Sequence, residues 1–147
     1  MIEIVTQPPM KIEPLPVKDW RDQPETPGAW RWALVNGQST ALFIGADEKQ
    51  IAMLKCDPAK GTILLARPGV GEPPMGLMVR TTSMAPRLLS ASERPAALWI
   101  GIQLPARDPL LDAIAFSRGR FALELLGQDS FYIPAWPEVS RVIEDCR

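Results

Sequence analysis

The chain carries two cysteines, Cys56 and Cys146, and each falls on the side of its segment that should face inward. Gln50 to Cys56 alternates as a strand, with Ala52, Leu54 and Cys56 on one face. Near the other end, Val139, Val142, Ile143 and Cys146 recur at i, i+3, i+4 and i+7, a single apolar stripe on a helix. Pro137 suits the first turn of that helix, because its missing N–H would lack an intrahelical partner there anyway. Glu138 and Arg141 form an i,i+3 pair off the stripe. Two readings of the thiols stand: a bridge between the strand and the terminal helix, or two independent buried cysteines. The bridge is the reading adopted. Closing a loop that long stabilises by about 4–5 kcal/mol in the chain-entropy picture. A bridge implies an oxidising compartment, so the chain would be periplasmic or otherwise exported; free thiols would place it in the cytoplasm. The spacing excludes a Cys-x-x-Cys redox or zinc pattern.

Between and around the cysteines, short alternating runs are separated by turn residues. Trp30 to Val35 puts Trp30, Trp32 and Leu34 on one face. Asn36-Gly37 follows, a type I′ hairpin signal, since both central residues need positive φ. Ser39 to Ala46 returns, Gln50 to Cys56 is a third strand, and Thr62 to Arg67 a fourth, giving an antiparallel meander. Pro68 to Gly76 reads as a loop, Leu77 to Thr82 as a strand, Ser83 to Leu89 as a segment pairing at its edge, and Ser90 to Pro95 as a further loop. Ala97 to Leu104 alternates most clearly, and its branched residues Leu98, Ile100, Ile102 and Leu104 are predicted core. Asp108 is positioned to cap a short helix with Pro109 in its first turn, which Gly119 terminates in a left-handed conformation. Phe121 to Leu126 and Phe131 to Ile133 are the last strands. The fold class expected is mainly β: an antiparallel β-sandwich or partly open barrel of about eight strands with two short C-terminal helices.

Residues 1–28 are set apart by Pro8, Pro9, Pro14, Pro16, Pro24 and Pro27, a density that forbids a regular helix or central strand. They read as an extended arm or leader, with Trp20 as a possible anchor, ahead of one domain over residues 29–147. The opening residues lack the basic start and apolar stretch of a signal peptide. No apolar run approaches the ~20 residues a membrane helix needs.

Histidine is absent, which removes histidine acid–base catalysis, Ser-His-Asp triads and histidine metal sites. A net charge of −1 supplies no positive excess for a nucleic-acid backbone. No stretch matches a calcium loop, and Gly69-Val70-Gly71 lacks the Gly-Lys-Ser/Thr ending of a phosphate loop, so neither metal nor cofactor is expected. The polar constellation that remains is Arg118 and Arg120 flanking Gly119, with Arg141 on the closing helix and Tyr132 and Trp136 beside them. Two arginines can grip a carboxylate, and the aromatics could wall such a site. The structural alternative is that these arginines pair with local carboxylates, Asp112, Glu144 and Asp145 among them, and hold the C-terminal unit together.

The strings DPLLDAIAFSRGRF, from Asp108, and IPAWPEVSRVIEDCR, to Arg147, resemble an uncharacterised family of small alphaproteobacterial proteins that usually carry signal peptides. More loosely, one cysteine after the third strand and one near the end is similar to the invasion-associated locus B group of periplasmic β-sandwich proteins. The first resemblance implies an envelope protein; the second implies the sandwich and the Cys56–Cys146 bridge. Neither brings catalytic residues with it. The function expected is a non-enzymatic envelope protein that binds another protein, the alternative being a binder of a small anionic ligand or an enzyme built on carboxylates and arginine.

Overall fold

A computed structural model describes residues 19–147. The arm expected over residues 1–28 therefore lies outside the described residues up to residue 18. A 3-10 turn at Trp20–Asp22, capped by Asp19, opens the described chain.

The first four strands follow the expected meander: β1 (Ala29–Val35), β2 (Gln38–Ile44), β3 (Gln50–Asp57) and β4 (Thr62–Pro68). Asn36 and Gly37 take φ of 51° and 75°, the left-handed pair a two-residue hairpin needs, and Val35 faces Gln38 across it. The chain then builds β5 (Met75–Arg80) and β6 (Arg87–Ala91) and returns as β7 (Trp99–Pro105) beside β4. Helix α1 (Pro109–Ala115), strands β8 (Arg120–Leu125) and β9 (Phe131–Pro134), and helix α2 (Pro137–Asp145) complete it. Two antiparallel sheets result, ordered β1-β2-β3-β4-β7 and β6-β5-β8-β9. This is the sandwich of the two architectures expected, with nine strands among the described residues.

Alternation explains which side chains fill the space between the sheets. Phe43, Leu54, Ile63 and Leu65 from the first sheet meet Leu77, Val79, Phe121, Leu123 and Ile133 from the second, all essentially without solvent contact. Trp30 joins the layers: its ring lies 5.3 Å from Phe43 edge-on and 6.5 Å from Phe121 in a stacked arrangement. Its indole N–H donates to the Pro134 carbonyl at 2.6 Å. Helix α2 lays Val139, Val142 and Ile143 against the β1–β3 end of the first sheet, as its stripe predicts.

Each long side of the sandwich is crossed at one point by a chain segment that leaves one sheet for the other. Ala91 pairs with Met75 in the second sheet, and Glu93, two residues on, exchanges both backbone hydrogen bonds with Gly101 of β7 at 2.9 Å. On the other side Thr26, just ahead of β1, donates its N–H to the Tyr132 carbonyl at 3.0 Å, and its hydroxyl accepts from the Tyr132 N–H at 2.9 Å.

Three expectations are corrected. Leu98 is not core: it has φ of 61° and is 63% exposed, because a turn from Ala96 to Trp99 and a bond from the Gly69 N–H to its carbonyl bend the chain before β7 begins. Ile100 and Leu104 are buried as expected, and Ile102 half-buried. Ser90 and Ala91 are strand rather than loop, since Leu89 and Ala91 alternate inward around Ser90. Arg141 takes Asp145, at i+4 and 3.2 Å, as its ion partner in place of Glu138.

Helix α1 is held by two arginine–carboxylate pairs. Asp108 caps it, accepting from the Leu110 N–H at 2.9 Å, and also receives Arg87 of β6 in bidentate fashion at 2.6 and 3.1 Å. Asp112 receives Arg147 at 2.7 and 3.0 Å. The guanidinium hydrogen bonds hold both carboxyls below the usual carboxylate range, against a smaller opposing effect of burial. A folded-state pKa below the unfolded one contributes stability above the unfolded value, and that contribution is lost as pH falls through the folded value. Urea unfolding should therefore show stability falling below about pH 4, and Asp108→Asn should flatten that fall. Asp112, with its side chain 44% exposed against 10% for Asp108, should matter less because solvent screens it.

Candidate functional site

The predicted arginine constellation divides between two places. Gly119 takes φ of 78° and lets the chain turn from α1 into β8. Arg118 is exposed there, its backbone N–H donating to the Thr82 hydroxyl at 2.8 Å. Arg120 turns toward the described part of the arm, donating from Nη1 to the Gln23 carbonyl, with Nη2 3.7 Å from Glu25. Tyr132 shares that outer face of the β8–β9 pair and is half-buried, its backbone engaged by Thr26. Trp136, 41% exposed, precedes α2 as its cap residue.

Arg141 belongs to a different group, over β1 and β2. Its guanidinium lies 3.9 Å from the centre of the Trp32 ring. Trp32 donates its indole N–H to the Ser39 hydroxyl at 2.8 Å, Ser39 donates to Asp145 at 2.7 Å, and Asp145 accepts from Arg141 at 3.2 Å. The ring of contacts closes on itself and pins α2 to the first sheet. The disulfide does the same one step further along the helix: Cys56 on β3 and Cys146 at the end of α2 are bonded, with Cα atoms 5.6 Å apart. No free cysteine is present.

A groove of about 520 Å³ lies on the outer face of the second sheet. Leu77, Val79, Leu89, Leu123 and Leu125 take the inward positions, so Gly76, Met78, Leu88, Glu124 and Leu126 point out. Leu88 stands directly across from Met78 and is 66% exposed; Leu126 is 97% exposed. Gly76 leaves the floor low, and a Cβ there would come within 3.3 Å of the Leu88 side chain. Glu124 at the groove wall is fixed by Arg80, whose Nε lies 3.0 Å from both carboxylate oxygens. Strand β6 is the edge of this sheet, with its second side unpaired by any strand of the sheet.

A second cleft, of about 450 Å³, opens at the end of the sandwich where the β2–β3, β4–β5 and β8–β9 connections meet. Its inner wall includes Arg67, 2% exposed. In sequence this arginine is simply the last residue of the strand expected over Thr62 to Arg67. The signal that could have found it is parity: it shares the inward face with Ile63 and Leu65, so a strand built by alternation sends its guanidinium between the sheets. The outward leucines were equally readable as a pattern, but which exposed residues of separate strands stand side by side depends on register.

No protein-family model, no curated protein and no solved structure matches the chain.

Proposed function

We propose that the chain is a non-enzymatic binding module of the cell envelope, exported into an oxidising compartment, and that its partner is an extended segment of another protein laid along β6 and the outer groove. The observation that carries this reading is that Leu88, Met78 and Leu126 line one solvent-facing groove on the sheet whose edge strand is β6. A row of unpaired backbone N–H and C=O groups can add a further strand, and adjacent apolar positions then select side chains at every second residue of that strand.

The bridge between Cys56 and Cys146 supports export, because such bonds persist where thiols are not kept reduced. The resemblance of the C-terminal strings to small exported proteins points the same way. The ionisable groups suit binding better than proton transfer. Both thiols are tied in the bridge, and Asp108 and Asp112 are held toward their charged form by arginines, the opposite of what an acid catalyst needs.

A photo-crosslinking amino acid replacing Leu88 or Leu126, in the native cell, tests the proposal, with replacement of Leu34 on β1 as the control. Adducts of one common size are expected from positions 88 and 126 and none from 34. Leu88→Glu should lower the yield from position 126 about tenfold, as loss of an apolar anchor does. Absence of adducts at both groove positions, or adducts from position 34 alone, would remove the assignment.

A further inference from the structure

Among the described residues, Arg67 is the largest charged side chain enclosed by the fold, and none of them places a carboxylate in bonding distance of it. Its Nε donates to the Pro68 carbonyl at 2.9 Å and its Nη1 to the Leu123 carbonyl of the opposite sheet at 2.9 Å. The Phe131 ring covers one face of the guanidinium, with its centre 4.1 Å away. The other terminal nitrogen, Nη2, has no hydrogen-bond partner among the described residues. Arg67 is one of the residues that line the end cleft.

An enclosed cation whose neighbours are carbonyls and a ring is expensive. Burial pushes its pKa down to about 10, and Asp129 restores part of the loss from a distance. A methionine would fill the same space without that cost. The cleft that Arg67 lines has an apolar wall of Pro68, Val70, Leu98 and Phe131, and exposed Lys49 lines it as well. Gln128 fastens one rim, accepting from the Val70 N–H at 2.9 Å and donating to the Val70 carbonyl at 2.8 Å. Leu98, turned outward by its left-handed backbone, forms part of the opposite rim.

We infer that this end cleft binds a small carboxylate with an apolar body, its head accepting from Arg67 Nη2 and its body lying against Phe131, Val70 and Leu98. The cleft is distinct from the β6 groove, and the inference goes beyond the protein-binding reading. Lys49 adds attraction, and Asp129 opposes it, so the two residues give predictions of opposite sign.

The test is titration of the full chain with hexanoate, followed by ¹⁵N-resolved shifts of the Arg67 Nε–H and the Val70 and Leu98 amides. Hexanol and hexylammonium serve as the same body with no charge and the reverse charge. Hexanoate alone should give saturable shifts. Arg67→Met should weaken its binding roughly tenfold or more, the loss of one charge-assisted hydrogen bond. Lys49→Met should weaken it about two- to fivefold and Asp129→Asn strengthen it by a similar factor, as for partly screened charges. These two surface variants decide the matter even where Arg67→Met fails to fold. Equal binding of hexanol and hexanoate, no saturable shift, or indifference to both Lys49→Met and Asp129→Asn would overturn the inference.

Discussion

Replacing Cys56 and Cys146 together with serine should lower the free energy of unfolding by about 4 kcal/mol, and reduction of the native protein should reproduce the loss. The estimate follows from the sequence separation of 90 between the bonded residues. Without the bond, an unfolded chain gains the freedom of that whole segment, and the gain grows slowly with its length. The location makes the folded side of the balance sensitive as well. Cys56 is buried in an interior strand of the first sheet, and Cys146 caps the helix that covers that sheet. Serine would put a hydroxyl where Cys56 is 2% exposed, adding a polar group to an apolar site. Urea unfolding of the serine variant, and of the parent with and without reductant, measures the effect. Thiol titration of the denatured, unreduced parent should find none free. Stability unchanged by reduction would refute the assigned role.

Trp30→Ala should cost about 3–5 kcal/mol, the range for emptying a large aromatic site. Trp30 is 4% exposed and touches aromatic residues of both sheets, so the vacancy would open at their junction and not beneath one layer. Trp30→Phe separates two contributions. It keeps most of the ring volume but leaves the Pro134 carbonyl without its 2.6 Å donor, which should cost about 1–3 kcal/mol. Chemical unfolding of both variants checks the order. An alanine variant no less stable than the phenylalanine one would contradict the packing described.

The sheets were legible because strands with one buried face announce themselves by alternation, and the turns between them carry residues that tolerate positive φ. Trp30, Leu54, Ile63, Phe121 and Leu123 occupy the inward positions their runs imply. Cys146 was legible for the same reason at helical spacing. Leu98 misled because its alternation is genuine, while a turn imposed by Gly69 and Ala96 lies outside any local pattern. The arginines near the C-terminus lie close in sequence but have separate partners in space. Arg141 points to a tryptophan on β1, and Arg120 to the residues that precede β1. Such pairings depend on which element packs on which, and a single chain read end to end does not supply that. Arg67 holds an inward position by alternation from Ile63 and Leu65, but its charge at a strand end carries no local sign of burial.

The hand-offs at Glu93 and Thr26 have a mechanical consequence. With each flank stitched by hydrogen bonds, swinging the layers apart like the covers of a book would break them. None of the four residues in those crossings lines the end cleft, so a ligand entering there past the Gln128 clasp leaves both stitches unbroken.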